Sequence, residues 1–387
     1  MNIKHLLLIS LFSFTSLFAT NGSNLIGLGS KARGMGGIGI GYSHGAESGL
    51  SNGALITSVD KTEISIGATL FMPDVTFDNG MGGGSYKSKA DMNIIPEISL
   101  ATRVNEHFYF GIGMWGTAGM GVDYRSHTDN FAMVTNLQLM QFGVPLAYKQ
   151  DMFSLSITPV IQYGSLDINY ETPAGNVGSG VSQDLALGYN IGAAIHYDDF
   201  TFGLMYKSQI DMEYTSQLSK AMGGFGVIYT NDTLSTPAEI GLGISYKYDK
   251  NIFAFDYKQL RFADAKGYKD FLWENQNVFA FGYMFDAEDY ALRLGYNYAK
   301  SPIKDRGLAY SLENTLNLLG FPAIVESHIT VGATYHFSPI VSLDGAYVHA
   351  LETKQSADVY NPDGATTRKI EAKHSQSSFS VQLNYLF

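Results

Sequence analysis

The stretch 375–387 carries the pattern that most limits the folds open to this chain. From Phe379 on, apolar residues alternate with polar ones, so that Phe379 and Leu383 fall on one face and Gln382 falls on the other. Such period-two alternation indicates a strand with one apolar and one polar face. The strand runs to the final Phe387, which suits the closing strand of a transmembrane barrel, where the apolar face meets lipid. A soluble sandwich could end on a similar strand, so the connections elsewhere in the chain have to decide.

Strand-length segments with this alternation follow one another from Thr62 onward, and a helical period is seen only in the stretch 308–320. The segments lie near 62–77, 88–103, 107–122, 133–149, 152–168, 184–198, 200–214, 237–249, 251–262, 275–286, 289–299, 326–338, 340–353 and 375–387. They number about fourteen, and an even number is typical of single-chain bacterial barrels.

The connections between these segments alternate in length. Tight polar turns such as Asp198-Asp199 alternate with long loops, which lie near 78–87, 123–132, 169–183, 215–236, 263–274, 300–325 and 354–374. Short turns on one rim and long loops on the other are typical of outer-membrane barrels, with the periplasm on the side of the short turns. We therefore predict an all-β fold, a transmembrane antiparallel β-barrel of about fourteen strands formed by residues 61–387, in the bacterial outer membrane.

Composition agrees with this prediction and excludes several kinds of site. Only 16% of the residues are charged, against about 25% in an average globular protein, while 13% are aromatic. The chain has no cysteine, which excludes disulfides, thiolate metal sites and cysteine nucleophiles. The net charge of −11 argues against a nucleic-acid partner.

The N-terminal region divides into two parts that are not strand-like. Residues 1–19 combine a basic start, a short apolar run and Ala19, which predicts a secretory signal peptide. Residues 20–60 are rich in Gly, Ser and Ala, so they cannot form a core of their own. We predict that they pack inside the barrel.

Several strands and loops are too apolar for a water-filled pore. In the stretch 278–285 one face is aromatic, with Phe279 and Phe281, and the other is small and apolar. Apolar residues also mark the long loops: Met81, Met120, Met222, Phe225, Phe271, Trp273, Leu316, Leu318, Leu319 and Phe321. Such surfaces adapt to varied apolar ligands, so we predict an apolar passage with Phe279 and Phe281 in its wall. The alternative is that these residues pack the lumen around the N-terminal part.

Two short motifs match the chain without the context that their chemistry needs. Residues 34–39 satisfy the G-x-G-x-x-G pattern, but no strand precedes them and no helix is predicted to follow. Residues 41–45 satisfy G-x-S-x-G around Ser43, but no α/β sheet surrounds them. The histidines show no metal-ligand spacing. We expect no catalytic residues, no metal and no cofactor.

The stretch 32–37, Ala-Arg-Gly-Met-Gly-Gly, and the later Asn52-Gly53-Ala54 resemble the N-terminal hatch of the FadL/TodX family. Met72-Pro73-Asp74-Val75, Ser301-Pro302 and the Asn384–Phe387 end extend the resemblance along the chain. The family transports long-chain fatty acids and aromatic hydrocarbons across the outer membrane. The resemblance implies a fourteen-stranded barrel plugged by a hatch, with Gly34, Gly36, Gly37, Asn52, Gly53 and Ala54 in that hatch.

The resemblance also implies positions for a ligand path, and it shows departures from the family. Gly116 and Gly119 look like the kink of the third strand that opens a lateral window. By position, Lys269 matches one of the basic residues that meet a fatty-acid carboxylate, whereas the other is replaced by an apolar residue around Leu166 to Ile168. This departure favours a neutral ligand. The family's Asn-Pro-Ala reads Asn52-Gly53-Ala54, and its acidic pair reads His44-Gly45.

We therefore expect passive uptake of hydrophobic compounds, either long-chain fatty acids or aromatic or aliphatic hydrocarbons, by a monomer surrounded by outer-membrane lipid. Hatch rearrangement and lateral exit at the third strand would complete the path. A diffusion channel for small polar solutes is the alternative, and an outer-membrane lipase is a more distant one.

Overall fold

One closed antiparallel β-barrel dominates the computed structural model, which describes residues 20–361 and 364–387. The predicted signal peptide, residues 1–19, lies outside the described residues. Fourteen strands of the described chain build the wall. They are β1 (Thr62–Asp78), β2 (Asn93–Arg103), β3 (Phe108–Asp123), β4 (Val134–Gly143 continued by Leu146–Gln150), β5 (Phe153–Thr172), β6 (Ser182–Tyr197), β7 (Phe200–Lys207), β8 (Glu239–Tyr248), β9 (Asn251–Leu260), β10 (Gln276–Asp286), β11 (Tyr290–Ala299), β12 (Ser327–Ser338), β13 (Val341–Tyr360) and β14 (Thr367–Leu386).

The barrel closes because its last strand pairs with its first. β14 runs antiparallel to β1, with Tyr385 opposite Ile64. The two parts of β4 pair with β5 in one register, since Gly143 lies opposite Val160 and Leu146 opposite Ile157. Closure leaves no open sheet edge, which a membrane requires. The predicted all-β barrel of about fourteen strands is confirmed.

Alternation along each strand separates a lipid-facing surface from the lumen. In β14, Leu383 on the apolar face is 48% exposed, whereas Gln382 on the polar face is 2% exposed and points inward. Tyr197 and Phe200 flank the short 198–199 turn and are exposed on the outside, as expected for an aromatic girdle at a membrane interface. The outer band is therefore apolar, and much of the inner surface is polar.

Two of the predicted boundaries are wrong. The loop predicted at 354–374 is mostly strand, because β13 runs to Tyr360 and β14 begins at Thr367. Inward residues such as Val359 and Ile370 stay buried there, so the alternation continues. The segment predicted at 200–214 ends at Lys207, and the chain then enters a long loop.

The remaining elements are short. The helices are α1 (Ser30–Gly34), α2 (Leu218–Gly223) and α3 (Ser311–Thr315), with 3₁₀ turns at Gly45–Gly49, Gly53–Ser58, Thr128–Asn130 and Leu308–Tyr310 and a π-helical turn at Leu316–Gly320. Short strands lie at Thr20–Asn21, Asn24–Leu25, Ser85–Lys87 and Gly175–Val177. None of the helices in the described ranges has both the length and the apolar character needed to cross a membrane.

Residues 20–60, the N-terminal segment, are almost entirely buried. The segment bonds to inward side chains of well-separated strands, among them Glu97 of β2, Asp256 of β9 and Gln382 of β14. A segment that reaches strands on several sides of a closed cylinder lies within it. The α1 helix and the 3₁₀ turns thus fill the part of the lumen nearer the short turns.

Candidate functional site

The glycines of the N-terminal segment allow its backbone to touch the barrel wall directly. A Cβ added to Gly34 would lie 2.8 Å from the Cα of Gly332 in β12. A Cβ added to Gly295 in β11 would lie 2.1 Å from the backbone nitrogen of Gly36, whose φ of +74° favours glycine. Glycine therefore faces glycine across this interface, which explains the glycine-rich pattern at residues 34–37.

The second predicted part of the hatch, residues 52–54, is held by the Asn52 side chain. Its amide donates to the carbonyl oxygens of Ile40 (2.9 Å) and Ala193 (3.1 Å), and its oxygen accepts from Ala54 N–H (3.2 Å). A Cβ at Gly53 would lie 2.9 Å from both the Ser156 and the Thr158 hydroxyls. Gly53 therefore fits closely against β5.

Buried charges also connect the segment to the barrel wall. The Arg33 guanidinium donates to both carboxylate oxygens of Glu97, at 2.9 Å for the Nη1–Oε2 pair, and also to the Thr69 hydroxyl at 2.7 Å. Arg33 and Glu97 are only 2% and 5% exposed. On β9, Asp256 accepts three backbone N–H groups, from Gly39, Ile40 and Gly41, at 2.7–3.1 Å.

Next to this interface the hydrogen bonding between β2 and β3 is interrupted. The two strands pair from Arg103–Tyr109 up to Glu97–Trp115, and no pairs join residues 93–96 to residues 116–121. We call this interruption the wall gap. It contains both predicted window glycines, and β3 has a register shift between Gly116 and Ala118 on its other side, toward β4.

The N-terminal segment covers the inside of the wall gap. Gly119 N–H donates to the Ser23 carbonyl at 3.0 Å instead of to β2, and Asn24 forms a bridge with Ala118. Toward the long loops the gap ends where Lys89 N–H donates to the Asp123 carbonyl at 2.9 Å. The gap is thus bounded at both ends and lined inside by residues 20–25.

A cavity of about 290 Å³, the wall cavity, adjoins the gap. Its lining is largely apolar and includes Leu25, Ile94, Ile95, Gly116, Gly119, Met120, Leu137, Leu139, Met140, Tyr163, Pro322 and Ala323. A few polar groups, such as His374 and Gln376, line its inner side. An apolar cavity with few polar groups is typical of small-molecule sites.

Above the wall cavity, the long loops fold into a packed apolar cluster, the mouth cluster. Phe262, Tyr268 and Trp273 pack against one another in tilted and edge-to-face contacts, with ring centroids 4.7–5.1 Å apart. The Tyr268 hydroxyl lies 3.1 Å from the Ser23 hydroxyl, which links the cluster to residues 20–25. Burial raises the pKa of Tyr268 to about 12, so this hydroxyl stays neutral.

The predicted ligand residues separate into two groups. Leu166 and Ile168 are buried in the mouth cluster, as are Met222, Trp273, Leu316, Leu318 and Leu319. Met120, Phe225, Phe271 and Phe321 pack against it, whereas Met81 is exposed. The prediction of an apolar passage therefore describes the loop side of the lumen but not its whole length.

The lumen positions predicted for Phe279 and Phe281 are wrong. Phe281 is 50% exposed on the outer surface, and Phe279 lies on the same outer face of β10. Their small neighbours point inward instead, because Met35 would lie 2.5 Å from a Cβ on Gly282. Lys269 is exposed in its loop, while the adjacent Tyr268 points into the mouth cluster.

The side of the lumen nearer the short turns is polar. A cavity of about 300 Å³, the periplasmic cavity, is lined by Lys31, Tyr42, His44, Glu63, Asp286, Arg293, His336 and Asn384, among others. The Lys31 ammonium donates to Glu63 at 3.3 Å and to the His44 carbonyl at 3.2 Å. Burial raises the pKa of Glu47 in the same segment to about 8, against the opposing effect of Lys31.

The hydrolase-like motif has no catalytic geometry. The Ser43 hydroxyl donates to the Leu55 carbonyl at 2.8 Å, and His44 Nε2 lies 2.8 Å from the Ile38 carbonyl. Both side chains are therefore used within the N-terminal segment. Within residues 20–361 and 364–387, no group of three or more His, Cys, Asp or Glu side chains is placed to hold a metal ion.

Sequence reasoning missed a group of charges on the lumen faces of β7, β8 and β9. The Glu239 carboxylate lies 3.5 Å from Lys207 Nζ and 3.9 Å from Lys258 Nζ, and it accepts from the Asn24 amide at 3.0 Å. These side chains line a cavity of about 60 Å³, the lysine pocket. The alternation of inward and outward positions along each strand is the signal that could have revealed them, because it places both lysines on the lumen side.

Comparison with known proteins gives one consistent result. A profile of the family described as outer membrane protein transport protein (OMPP1/FadL/TodX) matches residues 6–387. The chain is 23% identical to the long-chain fatty acid transport protein of Escherichia coli O6:H1, over 98% of this chain and 96% of that protein.

Solved structures share the fold. A Pseudomonas aeruginosa FadL homologue superposes with a TM-score of 0.72 at 16% identity, covering 96% of this chain and 100% of that one. The Pseudomonas putida toluene transporter TodX superposes with a TM-score of 0.70 at 17% identity, with the same two coverages.

Proposed function

The chain belongs to the OMPP1/FadL/TodX family of outer-membrane transport proteins, and from that premise we propose that it mediates passive uptake of hydrophobic compounds with lateral release through the wall gap. Membership makes it an outer-membrane transporter and not an enzyme. The names of the relatives indicate the range of ligands to consider, since one relative transports long-chain fatty acids and another transports toluene.

The observation that carries this proposal is the wall gap beside an apolar cavity of about 290 Å³. A continuous antiparallel wall would offer a bound solute no sideways route. Here the cavity lining includes residues of both strands that border the gap, such as Ile94 and Gly119. The cavity therefore contacts both of the strands that border the gap.

Partitioning supplies the driving force in this proposal. Each CH₂ group moved from water to an apolar site gains about 0.8 kcal/mol, so the mouth cluster collects apolar solutes from water. The polar periplasmic cavity is the less favourable way out for the same solutes, since its lining includes Lys31, Glu63 and Arg293. The lipid beyond the gap is the more favourable destination.

In this proposal the N-terminal segment, residues 20–60, acts as the hatch. Its residues 20–25 cover the gap from inside through Ser23 and Asn24, so they have to move before a solute can leave. The glycine contacts of Gly34 and Gly36 and the Arg33–Glu97 pair hold the rest of the segment in place. We propose a monomer surrounded by outer-membrane lipid.

A bulky side chain at Gly119 tests the proposal. In the structure a Cβ at Gly119 meets only the Leu137 carbonyl, at 3.3 Å, so Gly119→Phe should fold while its ring fills the wall gap. Uptake of a labelled uncharged hydrocarbon by cells that depend on this protein should fall to the level of cells lacking it. Gly345→Phe is the matched control, because a Cβ there has open space.

Two outcomes would contradict the proposal. Hydrocarbon uptake that is unaffected by Gly119→Phe, in protein shown to be folded by its heat-modifiable mobility, would exclude the lateral route. A steady ionic current through the wild-type protein in planar bilayers would favour the second candidate, a diffusion channel for small polar solutes. The observation in favour of that candidate is the polar periplasmic cavity of about 300 Å³.

A further inference from the structure

We propose that three lysines on the outer surface of the barrel bind the phosphate groups of a diphosphorylated glycolipid in the outer leaflet of the membrane. They are Lys354 on β13, Lys373 on β14 and Lys87 on the short strand at Ser85–Lys87, and we call them the outer lysine row. The inference concerns the lipid-facing side of the wall, so it adds a binding surface and does not depend on the proposed transport route.

Strand register places the three lysines side by side. Lys354 lies directly opposite Lys373 on the neighbouring strand. Lys373 lies opposite Thr76 of β1, which in turn lies opposite Lys87. Residues that lie directly opposite one another share one face of a sheet. That face is the outer one, because Lys373 alternates in step with the outward Phe379 of β14.

The row lies at the height of lipid headgroups, on the side of the long loops. Tyr385 is an exposed aromatic residue of the opposite rim, where it pairs with Val341 beside the short turn before β13. With a rise of ~3.3 Å per residue and a strand tilt of ~40°, Lys373 lies about 30 Å from Tyr385 along the membrane normal. The apolar band of such a barrel is about 25 Å tall, so Lys373 lies just outside it.

The positive charge of the row is only partly neutralised. Lys354 pairs with Glu371 at 2.7 Å, and Lys87 pairs with Asp74 at 2.8 Å. In the part of the chain that the structure describes, no ion pair of 4 Å or less involves Lys373. Like charges directly opposite each other in a sheet repel, so an anion bound between Lys354 and Lys373 would stabilise both. The Lys354 and Lys87 side chains are more than half exposed, which leaves them accessible.

The surface around the row favours a lipid with a wide head that carries two phosphates. Adjacent strands lie about 4.8 Å apart, so Lys354 and Lys87 are separated by about 14 Å across the sheet. Two phosphates on one headgroup can contact lysines this far apart, whereas a single phosphate contacts only one end of the row. Between the row and the periplasmic rim, the same face presents Phe379 and Leu383 to acyl chains. A soluble anion would leave this apolar surface without a partner.

Glu371 opposes the binding of an anion, because it supplies a counter-charge to Lys354 and also lies opposite a second acid, Asp78. Replacing Glu371 with glutamine removes one negative charge beside the row and frees the Lys354 ammonium group. Replacing the lysines removes the positive charge that attracts an anionic headgroup. The two kinds of substitution should therefore change the binding of a phosphorylated lipid in opposite directions.

The experiment titrates the purified full chain in detergent with lipid A, a diphosphorylated glycolipid, and with lipid A from which both phosphates have been removed. Native mass spectrometry measures the bound lipid. Lys354→Gln combined with Lys373→Gln should weaken lipid A binding about fivefold for each lysine and about 25-fold together. The dephosphorylated lipid should bind within about twofold of its wild-type affinity. Glu371→Gln should tighten lipid A binding. Lys247→Gln is the matched control, because Lys247 is exposed near the short turn after β8, on the opposite rim.

Opposite effects of the lysine and glutamate substitutions, restricted to the phosphorylated lipid, would support the outer lysine row, and misfolding cannot produce them. The inference is overturned if the wild-type protein binds the two lipids equally, if the double lysine variant binds lipid A as the wild type does, or if Lys247→Gln weakens binding as much. Hydrocarbon uptake is tested separately by Gly119→Phe, so failure of one proposal leaves the other standing.

Discussion

Toward the periplasm, the N-terminal segment meets the barrel through ion pairs, backbone hydrogen bonds and glycine contacts, whereas toward the long loops the lumen is filled by aromatic and aliphatic side chains. The Arg33–Glu97 pair represents the first region, and the tilted rings of Phe262, Tyr268 and Trp273 represent the second. Directional contacts define one position for the segment. Apolar contacts are non-directional, so they can be exchanged for contacts with a passing solute.

The difference indicates that the two regions have different roles. The polar contacts fix the position of the segment, and in the proposed function the apolar region is where the ligand binds. Residues 20–25 belong to both, since they bond to the wall gap and also contact the mouth cluster through Ser23. The difference between the two regions can be tested with variants that weaken the polar contacts of the N-terminal segment and leave the apolar region unchanged.

The largest expected effect comes from Arg33→Ala. It leaves Glu97 buried without its cation, and breaking a buried pair in this way destabilises by about 3–5 kcal/mol. Hydrogen exchange of residues 29–41 should become much faster, while exchange in the mouth cluster stays the same. The double variant Arg33→Met with Glu97→Leu is the control, because an apolar replacement of the whole pair is often nearly neutral. Unchanged exchange in Arg33→Ala would refute the assignment of docking to this pair.

A smaller effect is expected from Gly295→Ala. The new Cβ would lie 2.1 Å from the backbone nitrogen of Gly36, and such overpacking costs typically about 1–3 kcal/mol. Limited proteolysis of the N-terminal segment should accelerate. Gly345→Ala, which has open space around its Cβ, should leave the cleavage rate at the wild-type value. Equal rates for the two variants would show that the glycine contact does not hold the segment.

The smallest effect is a dependence on pH through Glu47. Its folded pKa of about 8 lies above the ordinary value of 4.5, so the folded state holds a proton that the unfolded state releases. Docking stability is therefore full below about pH 4.5, is lost as the pH rises, and stops falling above about pH 8. Between pH 7 and 9 the loss should be about 1 kcal/mol. After division by the intrinsic exchange rate at each pH, the protection of segment amides should fall across this range in the wild type but not in Glu47→Gln.

The barrel could be predicted because the sequence patterns that indicate it lie within short stretches of the chain. Alternation in each strand and the alternating loop lengths are properties of short stretches, so the strand number and the sidedness of β14 followed from the residues. The end of the β13–β14 hairpin was misplaced because 354–374 contains many polar residues, although Val359 and Ile370 keep the period.

The ligand residues were less predictable because their orientation depends on distant contacts. β10 carries apolar residues on both faces, and alternation alone does not say which face points inward. That choice is set by Met35, which approaches Gly282 so closely that only a glycine fits. The charges of Lys207, Glu239 and Lys258 lie on three strands, and only the barrel register brings them together.

In the proposed route, the wall gap also limits how long the protein could remain open. Backbone groups that lose their partners in hydrocarbon are destabilised by several kcal/mol each, and displacing residues 20–25 would free the Gly119 N–H that now bonds to Ser23. Pro96 on the facing strand has no N–H and leaves one fewer orphaned donor. An outgoing apolar molecule cannot satisfy the Gly119 amide. In the proposed route, the unpaired amide therefore favours return of residues 20–25 after each solute has left, and this would keep the outer membrane sealed between transport events.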